Sequence, residues 1–138
     1  MYQITENINK CKKILQEYSE SKSIAEYLQT YEKLSLYSVF LAENLSTLKT
    51  DYNRAYYKRK IEVSHSFLNN RAEKISEKTA LTKAEVDNES LVKEELESEA
   101  LAMRLELFLK QINKALEAMR TRISFEKTEK ERIRPEDI

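Results

Sequence analysis

The sequence predicts an all-α fold, a short N-terminal helix followed by a long antiparallel helical hairpin that packs like a coiled coil. Three observations carry this. The 138 residues include no glycine and one proline, so the positive-φ positions of β-turns, bulges and phosphate-cradling loops have no ready occupant. Apolar residues recur every three or four positions, the spacing of a helix face. Two segments of the form Ser/Thr-x-x-Glu, Ser23 to Glu26 and Thr82 to Glu85, read as capping boxes that start helices.

The first helix is predicted over about residues 5–20, where Ile4, Ile8, Cys11, Leu15 and Tyr18 form one apolar stripe. Polar residues from Ser19 to Ser23 interrupt it, and the Ser23 box opens a second helix over about residues 24–78. Ile24, Leu28, Tyr31, Leu34, Leu41, Leu45, Leu48, Tyr52, Tyr56, Val63 and Phe67 keep one face of that helix apolar. Asn69-Asn70 is the expected kink, because asparagine competes with the backbone for hydrogen bonds. The Thr82 box opens a third helix over about residues 83–130. Its core or oligomer seam is Leu101, Leu105, Phe108, Ile112, Ala115 and Met119, flanked by Leu109, Leu116 and Ile123. Pro135 forbids continuation, which leaves residues 131–138 as a frayed tail. Such a helix is roughly 70 Å long, and two of that length joined near Thr79 must run antiparallel. Residues 1–138 read as a single helical domain.

Charge sums to zero, with 24 basic and 24 acidic residues, but it is unevenly placed. Residues 49–83 carry 9 basic and 4 acidic side chains, whereas residues 84–102 carry 1 and 7. Folding as a hairpin sets these blocks side by side, a plain structural reason for the asymmetry. A second basic stretch, Arg120, Arg122, Lys127, Lys130, Arg132 and Arg134, reads as cations complementing a helix C-terminus.

No apolar run is long enough to span a membrane, the polar start is not a signal peptide, and the lone Cys11 fits a reducing interior. A cytoplasmic location, in a host cell if phage-encoded, is the expectation. Glu62-x-x-His65 matches one fragment of a di-iron bundle site, but such sites need two, and His65 is the one histidine. That single histidine, with Cys11 far away in sequence and no glycine for an oxyanion loop, gives nucleophilic catalysis little support. No catalytic, cofactor-binding or metal-ligating residue is assigned, no cofactor is expected, and the chain is read as a non-enzyme.

The candidate binding cluster is Arg54, Tyr57, Lys58, Arg59 and Lys60. Cations neutralise phosphates and tyrosine rings stack on unpaired bases, so this segment is a candidate for weak single-stranded nucleic-acid contact. The plainer reading makes Tyr52 and Tyr56 core residues and the charges a solvated face. The apolar seams of two long helices exceed what one short helix covers, so self-association and a protein partner are expected.

The stretch LTKAEVDNESLVKEELESEALAMRLELFLKQINKALEAMRTRISFEKTEKE, preceded by YNRAYYKRK, resembles a loose group of small helical proteins of tailed bacteriophages, over about residues 50–131. The group combines a tyrosine-rich basic helix, a polar turn, an acidic helix start and a closing apolar-basic helix. Its genes often neighbour recombination or single-strand DNA functions. The resemblance implies an accessory or adaptor in phage DNA metabolism. Alternatives are a phage inhibitor of a host defence protein and a structural virion component.

Overall fold

At Ser23 the serine half of the expected capping box forms, while the glutamate reaches one residue further back, to the N–H before the cap. The Glu26 N–H donates to Ser23 Oγ at 3.2 Å, and the Glu26 carboxylate reaches back to the Lys22 N–H at 2.6 Å. The structure, a computed structural model, describes residues 2–132, nearly all of them helical and with no strand among them. The helices are α1 (Tyr2–Glu20), α2 (Ile24–Ala72), α3 (Glu77–Asp87) and α4 (Glu89–Arg132). The two long helices pack against each other as a hairpin. They run through two compact units; of the described residues, 2–44 and 105–132 belong to one and 45–104 to the other.

The first unit is three-helical. Cys11 and Ile14 of α1, Tyr27, Leu34 and Leu41 of α2, and Leu105, Ile112, Leu116, Met119 and Ile123 of α4 are its buried apolar residues. Asn7 Nδ2 donates to Asn44 Oδ1 at 2.8 Å, and Tyr18 meets Tyr27 at 5.6 Å between ring centroids, which sets α1 antiparallel to α2. Arg122 joins α4 to both. Its guanidinium lies over the rings of Tyr27 (4.4 Å) and Tyr18 (5.6 Å) and donates to the Tyr27 hydroxyl at 2.6 Å. Burial pushes the Cys11 thiol up to about 11, so it stays protonated and packs as a small apolar group.

The second unit is a hairpin of α2 and α4 with α3 at its turn. Leu48, Ala55, Val63 and Asn70 of α2 are buried, with Ala80 and Ala84 of α3 and Ala102 of α4. Asn70 Nδ2 donates to the Ala80 carbonyl at 3.1 Å, satisfying a buried amide and tying α3 onto α2. Asn88 closes α3 and starts α4. Its N–H bonds the Ala84 carbonyl, its side chain donates to Ser66 Oγ at 2.9 Å, and its own carbonyl accepts from Leu91 and Val92.

Several sequence expectations are corrected here. The second helix ends at Ala72, two residues beyond Asn69-Asn70, and not near residue 78. The next helix starts at Glu77, not Lys83, with Ser76 as its N-cap residue. Thr82 is therefore inside α3, where its hydroxyl donates back to the Lys78 carbonyl at 3.0 Å instead of capping. What was expected as one helix from Lys83 is two, divided at Asn88. Leu105, Ile112 and Met119 are buried as expected, but Leu101, Phe108 and Ala115 are half-buried, and Leu116 and Ile123 take the inner places. Pro135, Arg134 and the tail from residue 133 lie outside the described residues; α4 itself continues to Arg132.

The end of α2 shows what the missing glycine costs. The Lys74 N–H bonds the Arg71 carbonyl at 3.0 Å and the Ile75 N–H bonds the Asn70 carbonyl at 3.4 Å, the paired bonds of a Schellman C-cap. Its left-handed residue is Lys74, at φ 65°. A side chain there meets its own carbonyl, which glycine avoids. Lys74→Gly is therefore expected to stabilise the chain by about 1 kcal/mol in urea unfolding, after the entropy of the freer unfolded chain is deducted.

Candidate interaction surface

On α2 of the second unit, residues facing inward and outward alternate with the 3.6-residue turn. Ala55 and Val63 point into the hairpin, while Tyr57, Ile61 and Leu68 fall about half a turn away and are 59%, 56% and 65% exposed. Ser64 and His65 fill the same outer face, and a shallow groove of about 420 Å³ runs along it between Tyr57, Lys60, Ile61, Ser64, His65 and Leu68. All six belong to one helix, so this is an open surface and not an enclosed chamber. Water-excluding chemistry has no chamber at this face.

The structure separates the five candidate nucleic-acid residues. Arg59 faces inward and makes a bidentate ion pair with Glu95 of α4, Nε to Oε2 at 2.6 Å and Nη2 to Oε1 at 3.1 Å. The pair is largely shielded, with side chains 26% and 12% exposed. The Glu95 hydrogen bonds raise the Arg59 pKa further above its ordinary value, against the opposing effect of partial burial. Arg59 and Lys60 both approach the Tyr56 ring, at 5.2 and 5.8 Å from its centroid. Tyr57 meets Tyr56 edge-on at 5.2 Å and stands out into solvent. Arg54 and Lys58 are exposed on either side of it. Tyr52 is half-buried, and partial burial followed by the carboxylates of Glu99 and Glu95 raises its pKa.

The pairing of the basic block with the acidic block is thus realised at Arg59 and Glu95, 36 residues apart in sequence. The sequence reading missed the apolar half of the outer face. Tyr57, Ile61, Ser64 and Leu68 follow four-three-four spacing, a signal that was present but lay outside the seam chosen for α2.

On α4 of the same unit, Leu96 and Met103 are 60% and 55% exposed, with half-buried Ala100 between them at four-three spacing. Glu62 and His65 are exposed, and no cluster of three metal-binding side chains occurs among the described residues. No helix among those residues is long and apolar enough to cross a membrane.

The ion pair is open to a double-mutant cycle. Arg59→Gln and Glu95→Gln, singly and together, should reveal a coupling of about 1 kcal/mol that shrinks as salt is raised, the value reduced for the partial exposure of Arg59. A coupling indistinguishable from zero at low salt would mean that the pair adds nothing to the stability of the hairpin. Comparison of the chain with protein-family models, with curated proteins and with solved structures finds no match.

Proposed function

We propose that the chain is a non-enzymatic interaction protein that docks another protein on the outer face of α2 in the second unit. The observation that carries this reading is the exposure of Tyr57, Ile61 and Leu68 on the face turned away from α4. Three large apolar side chains left in water at helical spacing are the anchor pattern by which one helix docks on another surface. Tyrosine supports such docking because its ring is apolar and its hydroxyl wet. An accessory or adaptor role in phage DNA metabolism draws its support from the resemblance of residues 50–131 alone. The identity of the docked protein separates that role from inhibition of a host defence protein and from a place in a virion.

A second reading, weak contact with single-stranded nucleic acid, draws support from Tyr57 standing exposed between Arg54 and Lys58. Two features favour the docking reading over it. The guanidinium of Arg59 is already committed to Glu95, and Ile61 and Leu68 offer nothing to a phosphate backbone.

Two variant pairs separate the readings. Ile61→Gln with Leu68→Gln removes the anchors and keeps the charges; Arg54→Gln with Lys58→Gln does the reverse, and glutamine suits a helix in both. Affinity capture from expressing cells should retain a protein with the wild type and the Arg54/Lys58 variant, and lose it with the Ile61/Leu68 variant. A labelled single-stranded oligonucleotide should show no salt-sensitive anisotropy change at low ionic strength. The opposite pattern, oligonucleotide binding abolished in the Arg54/Lys58 variant and capture unaffected by the Ile61/Leu68 variant, would overturn the docking reading.

A further inference from the structure

The outer face of α2 has a counterpart within the same unit. Leu96, Ala100 and Met103 on α4 lie on the side turned away from α2, just as Tyr57, Ile61 and Ser64 lie on the side turned away from α4. Both triplets have four-three spacing, the knob spacing of a helix that packs against another. Each combines large exposed apolar residues, Tyr57 and Ile61 on one and Leu96 and Met103 on the other, with one small residue, Ser64 or Ala100. A large side chain facing a small one is how helix faces interdigitate.

Their charges are opposite. From residue 49 to 72, α2 carries six cations and two anions; from residue 89 to 104, α4 carries five anions and two cations. Arg54, Lys58 and Lys60 are exposed around the first stripe; along the second, Glu89, Glu94 and Glu97 are exposed together with Lys93, which pairs with Glu97 at 4.0 Å, and Arg104. Pairing the α2 stripe with itself would oppose lysine and arginine to their like, which disfavours that contact, whereas the α4 segment offers it a net negative partner.

We infer that a second copy of this chain seats its α4 stripe, Leu96 to Met103, on the α2 stripe, Tyr57 to Leu68, of the first. The inference rests on the docking reading above and names the occupant. The two stripes of one copy point to different sides, so the contact is heterologous. One copy uses its basic stripe and its neighbour the acidic one, and each added copy leaves a stripe of each kind open until a ring closes.

Mixing complementary variants tests it. In analytical ultracentrifugation, wild-type protein should grow beyond a dimer as concentration rises through the micromolar range, and less so at high salt. The Ile61→Gln/Leu68→Gln variant and a Leu96→Gln/Met103→Gln variant should each sediment as a single chain. An equimolar mixture of the two should give a 1:1 dimer and nothing larger, because each supplies the stripe that the other lacks. Circular dichroism of both variants should match the wild type, which keeps a folding defect from imitating the result. If the mixture stays monomeric while wild type associates, or if the α4 variant associates as well as wild type, the inference is overturned. Wild type monomeric throughout also overturns it. In that case protein capture that still depends on Ile61 and Leu68 leaves the docking reading standing with a different occupant.

Discussion

Every seventh residue of α2 from Tyr27 to Ala55 is buried, whatever its chemistry: Tyr27, Leu34, Leu41, Leu48 and Ala55. A seven-residue repeat is two turns of a helix wound slightly tighter than 3.6 residues per turn, and it keeps one line of side chains against a neighbouring helix over its whole run. The next buried position, Val63, comes after eight residues and Asn70 after seven more. Even a polar side chain is pulled inward by that repeat. Asn70 is admitted because the Ala80 carbonyl accepts from its amide, so the seam is sustained by a hydrogen bond where it lacks a hydrocarbon. The step of eight shifts the inward line within the segment where Tyr57 and Ile61 come to lie outside.

A glycine-free chain limits how such helices can end. The turn after α2 has to put Lys74 in the left-handed region, and the break between α3 and α4 is managed by Asn88, whose side chain and backbone serve both helices. Function is constrained in the same way. A surface made of helix faces presents stripes, and stripes recognise other helices or flat apolar surfaces more readily than they enclose a small molecule. The apolar outer faces of α2 and α4 in the second unit are stripes of this kind.

Much of this was legible in the sequence, and the failures share a cause. The Ser23 box could be read because a capping box is local, its groups lying within four residues. Thr82 to Glu85 carries the same letters, but whether they start a helix depends on what precedes them, and Ser76 had already done so without a glutamate three residues on. The end of α2 was hidden because lysine stands where glycine would have marked it. On α4, two rows satisfy the same four-three spacing, one through Leu101, Leu105, Phe108, Ile112, Ala115 and Met119, the other through Leu105, Leu109, Ile112, Leu116, Met119 and Ile123. Spacing does not say which row faces the neighbour; the position of the other helices does, and they favoured the second. The Arg59–Glu95 pair was expected as a block of charge and not as two residues, because naming them requires the register of the hairpin. The outer stripe went unread because one apolar face per helix is the usual provision, and α2 has two.

Which face of α2 is inside is the claim on which the rest depends, and cysteine scanning measures it. In a Cys11→Ser background, single cysteines at Ala55, Tyr57, Ile61 and Val63 would be alkylated in native protein, diluted until scattering reports a single chain. The account predicts that positions 57 and 61 react nearly as fast as in the unfolded chain while 55 and 63 are strongly protected. Reversal of that order, or equal protection at all four positions under dilution, would contradict it.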